Sequence, residues 1–380
     1  MSDDTETETL RLLRDAAAGF AKFDGPRVRA LRAEPGRIDR AKWMALAEQG
    51  WLAVMVPEAV GGLDLGIGAA AVIAERLGYG CVPEPFVAAG VVAPYLLSRA
   101  TNMTLQAQVL PKVLSGETIA TLAWQGEAGS LSLDEVHVTA SESNREAILN
   151  GTCRFVPTPG ADAFLVATRR PDGLALYWVD RAAPGLQITL EPLADGGASG
   201  WLRFSKVHVP AGNGLVGPEL AGALVTAAID LALIAQSAEL VGNMERSLDM
   251  TLDYLRTRKQ FGQAIGSFQV LQHRAVDLWM HKELARHAVT AAVRVASGPA
   301  EPDVRGAAAS SAKNRAADSA MLIAKQAIQL HGAIGTTDEY DLGLLVNRCV
   351  ASVPWLGNAI VHRQRYGALA PARERVSAHA

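Results

Sequence analysis

The first group of residues that could perform chemistry is a basic run that leads into an aromatic residue and a glycine. It spans Arg256–Gly262, with the sequence RTRKQFG, and is followed by IGSFQ at Ile265–Gln269. One interpretation is structural: a helix that stops at glycine and carries cations near the negative end of its dipole. The other is functional: Arg258 binds a phosphate with two parallel hydrogen bonds, while nearby aromatic and amide groups contact a planar ring.

The second group contains closely spaced glycines and lies further along the chain. It spans Gln329–Tyr340, with the sequence QLHGAIGTTDEY. Gly332 and Gly335 would let a backbone approach a ligand closely, although a helix that ends at Gly332 and continues into a turn has the same pattern. His331 is a candidate acid–base group, and the alternative is a helix-terminal imidazole that hydrogen-bonds the last carbonyls.

The hydrophobic pattern of the elements that must position these groups changes twice along the chain. Up to residue 117, apolar residues recur at three- and four-residue spacing, which predicts helices. Between residues 118 and 213, short β-branched and aromatic runs alternate with turn residues, which predicts a small β-barrel or sandwich. From residue 214 to residue 380, long Ala-rich segments predict an antiparallel four-helix bundle.

The fold class is therefore predicted to be α+β, with three domains in the order helical, β and helical. We place their boundaries at residues 1–117, 118–213 and 214–380. The predicted elements are helices Thr5–Asp24, Arg40–Gln49, Gly66–Leu77 and Thr104–Leu114, strands Ala163–Arg169, Leu174–Val179 and Leu202–Val209, and helices Leu220–Lys259, Val270–Ser297 and Asp303–His331.

The composition places the chain among globular proteins and excludes two functional classes. Of its 380 residues, 49% are hydrophobic and 20% are charged, which excludes a disordered chain. The 36 Lys and Arg residues and 39 Asp and Glu residues give a net charge of −3. The chain therefore lacks the excess of basic residues that is typical of a general nucleic-acid binder. His273 and His281 lie on a predicted helix without ligand spacing, so we predict no metal site.

The cysteines and the apolar segments indicate a reducing compartment. Three widely separated cysteines, an odd number, disfavour a disulfide framework. The N-terminal sequence MSDDTETETLRLL is acidic and lacks the apolar core of a secretory signal. The most apolar run, Ala221–Ala238, contains Asp230 and Gln236, and we predict that it crosses a protein core rather than a bilayer. We therefore expect a cytoplasmic protein without membrane insertion.

Taken together and in this order, the two groups resemble the acyl-CoA dehydrogenase family. Its members carry an R-x-x-F-G-x-x-I-x-x-F-Q segment and then a Q-x-x-G-G-x-G-x-x-x-E-Y-like segment. Nearer the N-terminus, Gly50–Leu52 and Val56–Leu63 resemble the family's G-W-x and P-E-x-x-G-G-L segments. The resemblance covers nearly the whole chain, and it implies the same order of helices, β domain and helical bundle.

The resemblance implies a reaction and a cofactor. In the family, a carboxylate removes the α-proton of an acyl-CoA thioester, and the β-hydrogen leaves as hydride to FAD, giving the trans-2-enoyl-CoA. An electron acceptor such as a flavoprotein reoxidises the cofactor. The flavin lies between subunits, and one chain lends residues to its adenosine-pyrophosphate end. The residues of this chain that match them are Arg258, Phe261, Gln269, Gln329, Gly332 and Ala333.

The two halves of the implied cofactor site differ in how well they match the family. In the adenosine half only Ala333 departs, replacing the second glycine of the usual pair, and cations with small residues suit a pyrophosphate. In the flavin-ring half, the usual T-E-P-x-A-G-S-D reads WQGEAGSL at Trp124–Leu131, and W-I-T-N reads FVPT at Phe155–Thr158. We predict a weakened binding site for the flavin ring. The alternative, ordinary sequence drift in which Phe155 can still stack on the ring, stays open.

The catalytic base is absent from both places where the family carries it. In many members a Glu precedes a Gly in the last helical segment, and Leu356 stands at that position. In a second branch the Glu lies near the start of the long bundle helix, and Ala232 stands there. The nearest acids are Asp230 and Glu239. Glu239 lies about two turns further along the same helix face, and a buried Glu paired within the bundle is the alternative to a catalytic role.

Some bacterial members of the family resemble this pattern. They are partner subunits of α2β2 complexes that dehydrogenate CoA-thioester side chains of sterol catabolites, in which the companion chain supplies the base and the ring pocket. The first hypothesis is therefore a subunit whose site a different, homologous chain completes. The second is a self-sufficient homotetramer with an unusual base, Glu239 or Asp230. A third is a non-catalytic assembly partner.

Overall fold

The computed structural model describes residues 3–34, 36, 38–143 and 146–370. The chain forms two compact units, each described by itself. The first comprises Met1–Ala30, Ile67–Pro83 and Leu233–Ala380, and the second comprises Leu31–Gly66 and Glu84–Ala232. The predicted boundaries of three domains at 117 and 213 stay a prediction.

The N-terminal part is helical, as its period predicts. The first helix ends at Phe20, before its predicted end at Asp24. Asp24 instead caps the second helix, since its carboxylate accepts a hydrogen bond from the backbone N–H of Arg27 at 3.0 Å. Asn102 caps the sixth helix through the N–H of Leu105. A π-helical stretch at Phe86–Val92 precedes the fifth helix. The helices are α1 (Asp3–Phe20), α2 (Gly25–Arg32), α3 (Arg40–Glu48), α4 (Gly66–Tyr79), α5 (Ala93–Leu97) and α6 (Met103–Leu114).

The central part forms one sheet of eight strands, which confirms the predicted β domain. The strands are β1 (Ala120–Ala123), β2 (Thr139–Glu142), β3 (Glu146–Val156), β4 (Ala163–Arg170), β5 (Gly173–Asp180), β6 (Leu186–Pro192), β7 (Ala198–Pro210) and β8 (Gly214–Val216). Their order is β6-β7-β3-β2-β4-β5-β8, and β1 pairs in parallel with β4. The β3–β7 register shifts twice, between Leu149 and Gly151 and between Cys153 and Val156. The second shift is typical of a β-bulge, and it spans Phe155, whose φ is 58°.

The C-terminal part is a bundle of long helices, which confirms the predicted fold class. The helices are α7 (Pro218–Thr257), α8 (Gln269–Ser297), α9 (Pro302–His331), α10 (Leu342–Ser352) and α11 (Ala359–Leu369), with a hairpin of β9 (Lys259–Gln260) and β10 (Gln263–Ala264) between α7 and α8. The Ala-rich α9 packs against α8, α10 and α11. Small side chains at buried positions of α9 let these helices approach closely.

The long helix α7 contains the apolar run that the sequence analysis assigned to a protein core. By length and composition it is the one helix of the described chain that could cross a membrane, and 67% of its most apolar window is buried inside the protein. That degree of burial is typical of a core helix.

Candidate functional site

The basic run folds as a small projecting hairpin, which we call the hairpin arm (Thr257–Gln269). Helix α7 ends at Thr257, before the glycine, so the predicted glycine stop is wrong in its position. The N–H of Arg258 still donates to Tyr254 at 2.8 Å, and the carbonyl of Arg258 accepts from Ile265 at 2.8 Å. Between β9 and β10 the turn residues Phe261 and Gly262 have φ of 53° and 79°, the two positive values of a type I′ turn.

The hairpin arm presents a cation and an aromatic ring to solvent. Phe261 is 92% exposed and touches its own unit through an edge contact with Phe268, with ring centroids 6.1 Å apart. The guanidinium of Arg258 is exposed and makes no hydrogen bond or ion pair with any described residue. A phenylalanine in the left-handed region costs about 1 kcal/mol, and its exposed ring adds no compensating burial in this chain. The arm therefore carries a cation and an aromatic ring that its own chain does not use.

The glycine-rich group forms the end of α9. Gly332 follows the last helical residue with φ 67° and ψ −142°, a conformation that only glycine adopts without strain. A Cβ at this position would meet nothing within 4 Å, so the backbone and not the available space requires glycine. Gly332 and Ala333 are exposed and begin a 3₁₀ turn that runs to Thr336. The backbone N–H groups of such a turn are accessible to an anion.

His331 connects the glycine turn to the root of the hairpin arm. Its buried imidazole stacks on Tyr254 with ring centroids 4.5 Å apart and lies 5.2 Å from the ring of Tyr340. Its Nδ1 donates to the carbonyl of Ala327 at 2.8 Å, and burial lowers the pKa of the ring below its usual value. This geometry is that of the helix-terminal imidazole, and it brings the two sequence groups together. Sequence reasoning missed both tyrosines, although Tyr340 closes the second group.

The residues of the arm and of the glycine turn fit the phosphate end of FAD. An unpartnered guanidinium, an open glycine turn and an exposed aromatic ring offer a cation, backbone donors and a stacking surface. Gln269 and Gln329 are exposed at the start of α8 and near the end of α9. The assignment of Arg258, Phe261, Gln269, Gln329, Gly332 and Ala333 to the cofactor stays a prediction.

The segment that corresponds to the flavin-ring half makes its contacts with other residues of the second unit. Phe155 has φ 58°, and a Cβ added at Gly129 would lie 3.1 Å from its ring. The guanidinium of Arg154 lies 5.3 Å from the ring centroids of Phe155 and Trp201, and its Nε donates to Glu191 at 3.0 Å. One further group stays open, since the hydroxyl of Thr158 is buried without a hydrogen-bond partner in the described chain.

Both positions where the family carries its base are occupied by buried hydrocarbon side chains. Leu356 has φ 58° and is followed by Gly357 with φ 95°, and its carbonyl oxygen lies 2.7 Å from Nε2 of His362. Ala232 is buried on α7 in the second unit. The first unit does contain two buried polar residues that sequence reasoning missed, His362, which contacts the carbonyl of Leu356, and Lys313.

Of the two acids named as alternative bases, one is paired with an arginine and the other is completely buried. Oε1 of Glu239 accepts hydrogen bonds from Arg348 at 2.7 and 3.1 Å, which is the paired arrangement named as the alternative to catalysis. Asp230 is completely buried in the second unit. His273 is exposed on α8, and no group of three or more potential metal ligands occurs in the part of the chain that the structure describes.

Comparison with known proteins identifies the family. The profile "Acyl-CoA dehydrogenase, N-terminal domain" matches residues 7–117, and "Acyl-CoA dehydrogenase, C-terminal domain" matches residues 223–368. Acyl-CoA dehydrogenase FadE27 of Mycobacterium tuberculosis is 31% identical over 317 residues, which cover 80% of this chain and 81% of the relative.

Solved structures agree with this assignment. The ChsE4-ChsE5 complex from Mycobacterium tuberculosis matches with a TM-score of 0.85 and 27% identity over 98% of this chain and 99% of the other. A Tcur3481-Tcur3483 steroid ACAD variant matches with a TM-score of 0.86 and 29% identity over 99% of this chain and 100% of the other. The chain therefore belongs to the acyl-CoA dehydrogenase family of oxidoreductases.

Proposed function

We propose that this chain is one subunit of an FAD-dependent enzyme that dehydrogenates an acyl-CoA thioester between its α and β carbons, with the base supplied by a homologous partner chain. The observation that carries the proposal is the contrast within the chain. Leu356 and Ala232 are hydrocarbon at both base positions, while the exposed guanidinium of Arg258 has no partner in the part of the chain that the structure describes. An aliphatic side chain cannot abstract a proton.

The chain's own contribution is to bind the adenosine-pyrophosphate end of FAD, and FAD supplies the hydride acceptor. Arg258 forms charge-assisted hydrogen bonds to phosphate oxygens, and the backbone at Gly332 approaches the same group. Phe261 then packs against the partner or the adenosine and gains burial that its own chain does not provide. Glu239 is paired with Arg348, which supports a partner's base over an unusual base in this chain.

The partner that fits is a chain of the same family, and α8 offers a surface for it. Val276, Met280 and Leu284 recur at four-residue spacing and form one exposed apolar stripe, with Trp279 beside it. Exposed apolar patches of this kind mark protein interfaces. The ChsE4-ChsE5 structure is a complex of two such chains, which supports a heteromeric partner rather than an unrelated one.

The substrate class and the cellular location complete the proposal. The steroid ACAD among the similar structures supports a CoA thioester with a bulky polycyclic acyl group. An electron-transfer flavoprotein is the proposed acceptor. All three cysteines, Cys81, Cys153 and Cys349, are buried free thiols, which supports a reducing cytoplasm.

Co-expression with the homologous chain of the adjacent gene tests the proposal. The isolated chain should bind little flavin and should not reduce a dye acceptor with acyl-CoA, whereas the assembly should do both. Native mass spectrometry then gives the subunit ratio and the number of flavins. Full activity of the isolated chain would support the homotetramer, and loss of that activity in Glu239→Gln or Asp230→Asn would identify its base. An assembly whose flavin content is unchanged by Arg258→Ala would support the non-catalytic partner.

A further inference from the structure

A lysine is completely buried in the first unit, beside the end of α10. Nζ of Lys313 on α9 donates to Oε1 of Gln236 on α7 and, at 3.4 Å, to the carbonyl oxygen of Ser352. Nε2 of Gln236 donates to the same carbonyl at 2.6 Å. Ser352 is the last residue of α10, where helix carbonyls have no partner within the helix. Side chains from two other helices therefore hold this end of α10.

A second buried contact lies four residues further on. Nε2 of His362 on α11 is 2.7 Å from the carbonyl oxygen of Leu356, while Nδ1 is 3.4 Å from the hydroxyl of Ser310. Because a carbonyl only accepts, Nε2 carries the hydrogen and Nδ1 accepts from Ser310, whose oxygen in turn accepts from Arg365 at 3.0 Å. Burial lowers the pKa of His362 to about 3, so the ring is neutral, as this pattern requires.

The two contacts enclose a segment with strained backbone, which we call the turn segment (Ser352–Gly357). Leu356 lies in the left-handed region, and a Cβ added at the following Gly357 would lie 3.1 Å from Nε2 of His362. A leucine in this conformation persists only where its surroundings determine it. The buried hydrogen bonds at both ends of the turn segment are such surroundings.

We propose that Lys313 and Gln236 are positioning residues: together with His362 they anchor the turn segment, so that Leu356 forms a fixed hydrocarbon wall where other members of the family carry their base. The statement about the wall rests on the proposed function, whereas the anchor does not. A buried lysine is costly unless its hydrogens are used. Here its acceptors are two groups that a methionine of similar length could not bind.

The charges around Lys313 determine how the anchor responds to pH. The groups that face it are Glu239 of α7, which pairs with Arg348 of α10, the Cys349 thiol of α10, and His362 of α11 with Arg365 behind it. Burial lowers the pKa of Lys313 to about 7, an effect that Glu239 opposes.

The sign of the pH dependence follows from the uptake of a proton. A neutral amine has two hydrogens for its two acceptors, so it suits the closed segment. When the segment opens to water, Lys313 regains its ordinary pKa of about 10.5 and binds a proton. Opening therefore becomes harder as the pH rises above about 7, by about tenfold for each pH unit.

Hydrogen exchange read by mass spectrometry on the full chain tests the anchor. In the wild type, the opening constant of a peptide over Ser352–Gly357, corrected for intrinsic exchange, should fall about tenfold per unit between pH 7 and pH 8.5. Lys313→Met should remove this slope, because no side chain at this position then takes up a proton when the segment opens. The matched control is Lys282→Met, a second buried lysine that pairs with Glu283 on α8 and should leave this peptide unchanged.

Two further measurements separate the possible failures. If Lys313→Met does not fold, Gln236→Met removes the Oε1 acceptor of Lys313 and the Nε2 donor to the carbonyl of Ser352, and it should open the turn segment. A wild-type pH slope in Lys313→Met together with wild-type exchange in Gln236→Met would overturn the anchor. In the co-assembled enzyme, Lys313→Met should change KM for the acyl-CoA at constant flavin content, and unchanged KM and kcat would overturn the positioning role. An inactive wild-type assembly would contradict the proposed function while the exchange result still decides the anchor.

Discussion

Two phenylalanines of this chain have left-handed backbone conformations in opposite surroundings. Phe155 has φ 58° at the bulge of β3, and its ring lies against Gly129 with Arg154 above it. Phe261 has φ 53° at the tip of the hairpin arm and is 92% exposed. In the first region the chain compensates the strain with its own contacts. In the second the backbone cost is the same, but the exposed ring makes an edge contact with Phe268 and gains little burial.

The difference supports the proposal that this chain contributes the adenosine half of a cofactor site. Around Phe155 the charged and amide side chains have local partners, since Arg154 pairs with Glu191 and Gln125 donates to the carbonyl of Gly129 at 3.0 Å. The hydroxyl of Thr158 and the indole N–H of Trp201 are buried without a described partner. Around Phe261 the guanidinium of Arg258 has no described partner. Strain and exposure that persist without local compensation are typical of a surface that another molecule covers. This contrast supports the proposed binding role of the hairpin arm and a structural role of the bulge.

Replacing the arm's cation should have the largest effect on binding. Arg258→Ala in the co-assembled enzyme removes a charge-assisted contact to phosphate, which typically contributes about 1.5–3 kcal/mol. Flavin affinity should therefore fall about tenfold to a hundredfold, read by flavin fluorescence after dialysis. Thermal unfolding of the isolated chain should not change, because the side chain has no partner among the described residues.

Arg256→Ala provides the matched control for that experiment. Arg256 is also exposed in the last turn of α7, but its guanidinium pairs with Asp253 at 3.1 Å. Flavin retention in this variant should equal that of the wild type. Equal loss of flavin in both variants would mean that general positive charge, and not the site at Arg258, retains the cofactor.

Truncating each phenylalanine should separate stability from binding. Phe155→Ala should destabilise the isolated chain by about 2 kcal/mol, less than a fully buried phenylalanine, because its ring is half-buried and also stacks with Arg154. Phe261→Ala should change the stability of the isolated chain by less than about 0.5 kcal/mol. Denaturant unfolding measures both variants.

In the assembly with the partner chain, the order of the two effects should be reversed, so that Phe261→Ala has the larger one. Phe261→Ala should weaken flavin retention or association with the partner, because the ring becomes buried only there. A large loss of stability in isolated Phe261→Ala, or none in Phe155→Ala, would contradict the division of roles between the two regions.

Hydrophobic periodicity predicts most of the fold, and the family resemblance predicts the site. The long segments of three- and four-residue spacing correspond to α7, α8 and α9 within a few residues. The early end of α1 could also have been predicted from the sequence, since Asp24-Gly25-Pro26 is a signal for the start of the next helix. The bulge at Phe155 was not, because the alternation along β3 does not specify where one residue is added against β7.

The buried polar groups of the first unit were also beyond the sequence pattern. Lys313 lies in an Ala-rich helix, where a lysine ordinarily lies at the surface, and its acceptors come from α7 and α10. Only the packing of three distant segments makes that position interior. His331 was visible as a candidate, but its stacking on Tyr254 depends on how α7 and α9 lie side by side.

Adding one methyl group at the turn glycine of each region is a finer test. Gly129→Ala combines positive φ (68°) with a contact of 3.1 Å to the ring of Phe155, so we expect a loss of about 2 kcal/mol. Gly262→Ala has positive φ (79°) but nothing within 4 Å, so only the backbone cost of about 1 kcal/mol applies. Equal losses in denaturant unfolding would show that Phe155 moves aside freely and is not fixed at the bulge.

The smallest expected effect concerns the imidazole at the root of the hairpin arm. Burial lowers the pKa of His331 in the folded chain, so the unfolded chain binds a proton first as the pH falls. The stability that this residue contributes is therefore complete above about pH 6.5 and is lost as the pH falls through the lower, folded-state pKa. His331→Phe keeps a ring between Tyr254 and Tyr340 and should remove this part of the pH dependence, which the difference between the two unfolding curves isolates from His362. NMR titration of the imidazole signal that disappears in His331→Phe gives its pKa directly. A pKa at or above that of an unfolded histidine would contradict the buried stack and would show that His331 does not fix the base of the hairpin arm.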